Sequence, residues 1–329
     1  MTILAIASSL SDFEALVPGL VSTDSARLAP GCAEGVIIGP EQSADIRLPI
    51  PETSPLVWIG FSINFTKEFN NNSPFFRVLS PAGNQIMSLQ FDDDADGTYA
   101  GDLAINDQSG APSRRAIALV EDQTYRFDVR LEISDTATIE VFIDGVSVGT
   151  HSGDTQPGAA GARKIWFTPT ITGAGTNADW EYTLSGVVVA DTDTRGVEIV
   201  SLEPVAAGNY TDFSGAVGDV SGTGITDATK ITTTAAGRAT FTKTALPGAY
   251  ATGYDILGLG VSARVRAGLD APGDVQLLTR SGGLDDQSSI TSVSPLYEPV
   301  QGVFEQDPAT NAAWTVAGLD GAEIGVRVT

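Results

Sequence analysis

The sequence predicts an all-β protein made of two successive sandwiches, and three observations lead there. Apolar residues recur with period two almost everywhere, an aspartate-glycine turn joins two alternating runs, and 36 glycines and 17 prolines punctuate many short strands. Helical patterning is confined to the two ends. SDFEALVPGL (residues 11–20) can form about two turns capped by Ser11, and WTVAGLDGAE (314–323) about one.

Taken in order, VWIGFSINF (57–65) places Ile59, Phe61, Ile63 and Phe65 on one face of a half-buried strand. Trp58, Gly60, Ser62 and Asn64 fall on the other, more polar face. TIEVFIDGVSVGT (138–150) alternates Ile139, Val141 and Ile143, turns at Asp144-Gly145 and resumes with Val146 and Val148, the pattern of a tight hairpin. VSARVRA (261–267) alternates Val261, Ala263 and Val265 with Ser262, Arg264 and Arg266. The stretch 206–224 is small, polar and turn-rich, which predicts one domain over 1–204, a linker over 205–215 and a second domain over 216–329.

The charge balance excludes some partners. With 18 basic against 41 acidic residues, a net charge of −23 repels phosphate backbones, so nucleic acid and anionic membranes are not expected. Cys32 is the single cysteine, which rules out an intrachain disulfide and a cysteine metal cluster. The N-terminus shows no basic secretory leader, so synthesis in a cytoplasm is expected. No stretch approaches the roughly twenty apolar residues that cross a bilayer, so a soluble chain is expected.

Catalytic patterns are sparse. His151, the only histidine, follows a hairpin in THSGD and reads as a surface-loop residue. The ExDxxE strand of one large group of sandwich glycosidases is missing, and Glu140 and Asp144 are spaced too far apart to replace it. A chain that is not an enzyme is therefore expected. Among the tryptophans, 58, 166, 180 and 314, those in strands read first as core. Trp58 is the best candidate for stacking on a sugar ring, with Asn64 beside it on a face small and polar enough to line a groove. In FDDDADG (91–97), Asp92, Asp94, Asp96 and Gly97 match the start of a calcium loop. The twelfth position is Leu103 and the flanks look like strands, which excludes an EF-hand. A calcium ion held by clustered carboxylates and an unoccupied acidic turn both remain open. The basic clusters at 113–115 and 264–266 read as solvated strand ends or as contacts for acidic neighbours.

Some runs also resemble known families. YRFDVRLEISDTATIEVFIDGVSVGTHSG (125–153) resembles the late strands of laminin-G-like, concanavalin-type jelly rolls. VVVADTDTRGVEIVSLEPVAAGNYTDFSG (187–215) is similar to a stretch of tailed-bacteriophage virion structural proteins, in which an ADxDTRG strand ends a jelly roll and a GNxTDWxG-like link leads to a second β-domain. Residues 261–283 and 304–329 resemble the last domain of the same proteins, while Phe213 stands where tryptophan is commoner in the link. The resemblance implies a concanavalin/laminin-G-like jelly-roll sandwich followed by a second, smaller β-sandwich. It further implies a structural component of a phage or phage-like particle, as a capsid decoration protein or head spike on the virion's outer surface. A tail or receptor-binding fibre component, or a lectin-like adhesion module, is the alternative. The expected partners are other virion proteins, host or environmental glycans, and further copies of the chain in a homo-oligomer. Laminin-G-like domains often hold calcium at a loop rim, which argues for the ion at Asp92, Asp94 and Asp96, whereas a chain this rich in aspartate produces such runs by chance, which argues for the unoccupied turn.

Overall fold

A computed structural model describes the chain apart from residues 16–21, 40–45, 51–54, 66–72, 93–101, 111, 157–162, 168–180, 222–226 and 269–272. The protein is all-β and divides into two compact units, Met1–Ile199 and Val200–Thr329.

The first unit runs through β1 (Ile3–Ala7), β2 (Glu14–Ala15), β3 (Ser22–Asp24), β4 (Gly35–Ile38), β5 (Ile46–Ile50), β6 (Leu56–Phe65), β7 (Ser73–Leu79), β8 (Gln85–Asp92), β9 (Asp102–Asp107), β10 (Pro112–Ala116), β11 (Thr124–Glu132), β12 (Ala137–Ile143), β13 (Val146–Gly153), β14 (Arg163–Phe167) and β15 (Tyr182–Ala190). They form a jelly-roll sandwich. One sheet is ordered β13-β12-β11-β6-β15-β4-β3, with β1 also on β15, and the other β10-β9-β8-β7-β14-β5-β2. The inner faces meet through aromatic side chains. Phe61 of β6 stacks on Phe76 at 4.9 Å and meets Phe167 edge-on at 5.3 Å, and Phe65 meets Phe91 edge-on at 5.4 Å. The β12–β13 hairpin turns where the sequence places it, because Asp144 (φ 49°) and Gly145 (φ 78°) both take the left-handed conformation of a two-residue turn.

Two sequence expectations fail in this unit. The helix expected from residue 11 is a single 3-10 turn, Leu10–Asp12, followed by β2 on β5. Asp12 accepts from the amides of Ser8 and Ser9 at 2.7 and 2.8 Å, which caps the start of the turn, and beyond it the chain is extended, Phe13 at φ −104°, and enters β2. Strand β6 is not half-buried; from Val57 to Phe65 both of its faces are covered. It lies between β11 and β15, and its polar face lies under the segment after β15. There Thr194 donates to Asp128 at 2.8 Å and the Arg195 guanidinium lies over Trp58 at 5.6 Å. A Cβ on Gly60 would come within 2.0 Å of Arg126, so glycine is what admits that buried guanidinium.

The second unit contains β16 (Pro204–Thr211), β17 (Gly237–Lys243), β18 (Leu259–Val265), β19 (Asp274–Ser281), β20 (Leu284–Gln287), β21 (Thr291–Ser292), β22 (Glu298–Phe304), β23 (Gln306–Asp307), β24 (Ala312–Ala313), α1 (Val316–Gly321) and β25 (Glu323–Val328). A six-stranded sheet, β16-β17-β25-β19-β20 with β21 on β19, is covered by the antiparallel pair β18–β22, which makes a smaller sandwich. Leu259, Val261, Val300 and Phe304 of that strand pair bury Leu277 of the sheet together with Trp314 and Leu319. The turn expected near the end is α1, capped by the Thr315 hydroxyl, which accepts from the Gly318 amide at 3.0 Å. Of residues 205–215, read from the sequence as a linker, those up to Thr211 enter this sheet as its edge strand, β16. Tyr210 explains why: its ring lies between the guanidiniums of Arg238 and Arg280, at 4.9 and 5.1 Å, and its hydroxyl donates to Asp285 at 3.1 Å. Small residues around Tyr210 make a polar edge strand that looks like a loop in sequence.

Candidate functional site

The residues singled out in the sequence do not converge. Trp58 is 6% exposed and stacks on Phe142 at 5.7 Å beneath Arg195, so it belongs to the packing of the first sandwich rather than to a groove. Asn64 is 3% exposed and donates to Thr124 at 3.1 Å, likewise out of reach of a glycan. Of the acidic run, Asp92 ends β8, while Asp94 and Asp96 lie outside the described residues, as does Trp180. Arg264 is committed to Asp227 at 2.9 Å. Trp314 is core, donating its indole N–H to the Phe304 carbonyl at 2.8 Å.

What the fold does assemble is a row across the outer face of the β10-to-β2 sheet. Strand register aligns Glu14, Arg47, Trp166, Arg77, Ser88, Asn106 and Pro112, one residue from each strand. Their neighbours Ile46, Leu48, Ile165, Phe167, Met87, Leu89 and Ile105 fill the core, so alternation turns the row to the other face, where Arg47, Trp166 and Arg77 are half-buried and Ser88 and Asn106 are covered, 1% and 5% exposed. The Trp166 indole is flanked from its two neighbouring strands by Arg47 and Arg77, whose guanidinium carbons lie 4.8 and 5.0 Å from the ring centroid. Two places before Trp166 on the same face, Lys164 pairs with Glu14 at 2.8 Å. Asn106 donates to Ser88 at 3.3 Å. Among the described residues, Arg47 Nε and Trp166 Nε1 are buried donors without an acceptor. A ligand acceptor meets these two atoms only once a side chain of the row turns outward, and a carboxylate suits a guanidinium because the planar fork offers paired donors. A concentration of cations on one face of a chain with net charge −23 is also a local reversal of sign.

A second cluster corrects the reading of His151. The imidazole is 8% exposed and sits on the inner face of β13, at the open edge of the sandwich. Its Nδ1 lies 2.8 Å from the Ser113 hydroxyl on β10, and its Nε2 faces Asp107 at the end of β9, 3.5 Å away. Asp107 uses its other oxygen to accept from the amide and hydroxyl of Ser109 at 2.8 and 2.5 Å. Burial opposes ionisation of Asp107, but the Ser109 bonds and the neighbouring imidazole outweigh it and hold the carboxyl below the usual aspartate range. The signal was the alternation in VSVGTHSG: Gly149, His151 and Gly153 share one face, and two glycines around a histidine mark space that other side chains need.

No family model matches the chain, and no curated protein does. Solved structures similar to part of it include a sialidase (14% identity, TM-score 0.39, over 59% of this chain and 19% of that one). Others are a carbohydrate esterase from the Shiga toxin-encoding bacteriophage phi24B (13%, TM-score 0.41, 58% and 99%) and a mutant of alginate lyase Aly36B in complex with alginate tetrasaccharide (12%, TM-score 0.36, 48% and 81%). All three are enzymes by title, so the expectation that this chain is not an enzyme does not stand. Their likeness, at these scores, transfers no activity.

Proposed function

We propose that the first unit is a lectin-like module for acidic glycans, with the Arg47–Trp166–Arg77 row as its binding surface, carried on the outside of a tailed-phage or phage-like particle. The observation behind the glycan reading is that row: a half-buried indole held between two half-buried guanidiniums, with donors lacking acceptors. A uronate or sialate brings what such a surface recognises and a neutral sugar lacks, a carboxylate for the guanidiniums. The particle location, whether as head decoration or tail component, rests on the resemblance of residues 187–215 to virion proteins. Calorimetry of the full chain with an oligouronate and a neutral oligosaccharide of equal length tests the glycan reading. Binding of the oligouronate alone, weakened about tenfold or more in Arg47→Ala and Trp166→Ala, is expected. Equal affinity for the two sugars, or no binding of either at millimolar concentration, would overturn it.

A further inference from the structure

We propose that Ser113, His151 and Asp107 form a hydrolytic site for carboxylic esters at the open edge of the first sandwich. The inference is independent of the glycan-binding surface, which lies on the other face of the same sheet. Three strands bring the groups together: β10 supplies the hydroxyl, β13 the imidazole and β9 the carboxylate. The imidazole touches both partners, the serine at 2.8 Å through Nδ1 and the aspartate at 3.5 Å through Nε2. A carboxylate opposite Nε2 favours the tautomer protonated there, which leaves the Nδ1 lone pair to accept the serine proton. The last gap is longer than a hydrogen bond, and such contacts tighten when substrate binds.

The surrounding backbone is shaped for this arrangement. A Cβ on Gly153 would lie 2.0 Å from Asp107 Oδ2 and 2.9 Å from His151 Nε2, so any side chain there would push the carboxylate off the imidazole. A Cβ on Gly149 would lie 2.7 Å from Cγ of Arg115, so that glycine admits the arginine stem on the other side of the histidine. Arg115 follows Ser113 by two residues on the same strand face, and its guanidinium reaches the Thr150 carbonyl at 3.4 Å. It provides a positive charge beside the nucleophile, where an oxyanion would develop. Ser113 is only partly covered, on an edge strand whose other residues are exposed, so an ester can reach it while the histidine and aspartate stay buried.

The reaction is balanced by these groups and water. The Ser113 oxygen attacks the ester carbonyl as its proton passes to Nδ1. The tetrahedral intermediate expels the alcohol, which takes that proton, and leaves an acyl-serine. Water, deprotonated by the same nitrogen, then releases the carboxylic acid and restores the hydroxyl. Asp107 steadies the imidazolium throughout.

The test uses the full chain with p-nitrophenyl acetate and with a fluorophosphonate probe. Expected are hydrolysis above the buffer rate, one phosphonyl group located on Ser113 by peptide mass, and loss of both in Ser113→Ala, whose part-exposed position leaves folding intact. Asp107→Asn should lower kcat by on the order of 100-fold or more while the label still reaches Ser113 slowly. Absence of an adduct at Ser113, or hydrolysis unchanged in Ser113→Ala, overturns the proposal and leaves the three residues a packed polar edge.

Discussion

Replacing Trp58 by alanine separates the packing role assigned by the structure from the sugar contact suggested by its strand. The indole is 6% exposed, stacks on Phe142 at 5.7 Å with an interplanar angle of 23°, and carries the Arg195 guanidinium at 5.6 Å. Removing a buried tryptophan costs about 3–5 kcal/mol through lost transfer energy and the cavity left behind. The Phe142 stack places Trp58→Ala towards the upper end, since an aromatic pair adds about 0.5–1.5 kcal/mol. At about 2–4 °C per kcal/mol for a unit of this size, the melting transition of the first unit should fall by about 6–20 °C. Differential scanning calorimetry, with urea titration for the free energy, is the assay. A loss under about 1 kcal/mol together with weakened sugar binding would refute the reasoning and put Trp58 back at an exposed contact.

Further consequences follow for other residues. Thr194→Val leaves the buried Asp128 carboxylate without its 2.8 Å hydroxyl and should cost about 1.5–3 kcal/mol by urea titration; no loss would mean the segment after β15 does not clamp the sheet. Trp314→Phe removes the bond to the Phe304 carbonyl and should lower the melting temperature of the second unit only, by about 1–3 kcal/mol in stability. The Asp107 carboxyl is depressed below its ordinary value of 3.8, so the stability it gives is full above that value and is lost as pH falls through the folded-state value. Asp107→Asn should therefore lose less melting temperature than the parent between about pH 6 and about pH 3. Parallel curves would show that the carboxylate is not favoured in the folded state.

The fold class was legible because period two leaves little choice. RKIWF, IRLPI and GVSVGTHSG each give the facing of their residues, and the Asp144-Gly145 turn gives its own conformation. The binding row was half legible: alternation sends Arg47, Arg77 and Trp166 outward, but their strands are β5, β7 and β14, and only the sheet order sets them side by side. Trp58 misled for a related reason. Small and polar neighbours such as Gly60, Ser62 and Asn64 look like the walls of a groove, whereas all three are buried, Gly60 against Arg126 and Asp128 and Asn64 against Thr124. A buried polar layer and a solvated one have the same composition. His151 was misplaced because its partners, Ser113 and Asp107, come from strands distant in sequence.

A crystal structure of the full chain with an oligouronate bound tests the binding claim most directly. The account predicts a sugar on the outer face of the β10-to-β2 sheet, with its carboxylate within about 3 Å of a nitrogen of Arg47 and Trp166 Nε1 donating to the same ligand. A sugar bound at any other surface, with the Arg47–Trp166–Arg77 row unchanged and empty, would contradict it.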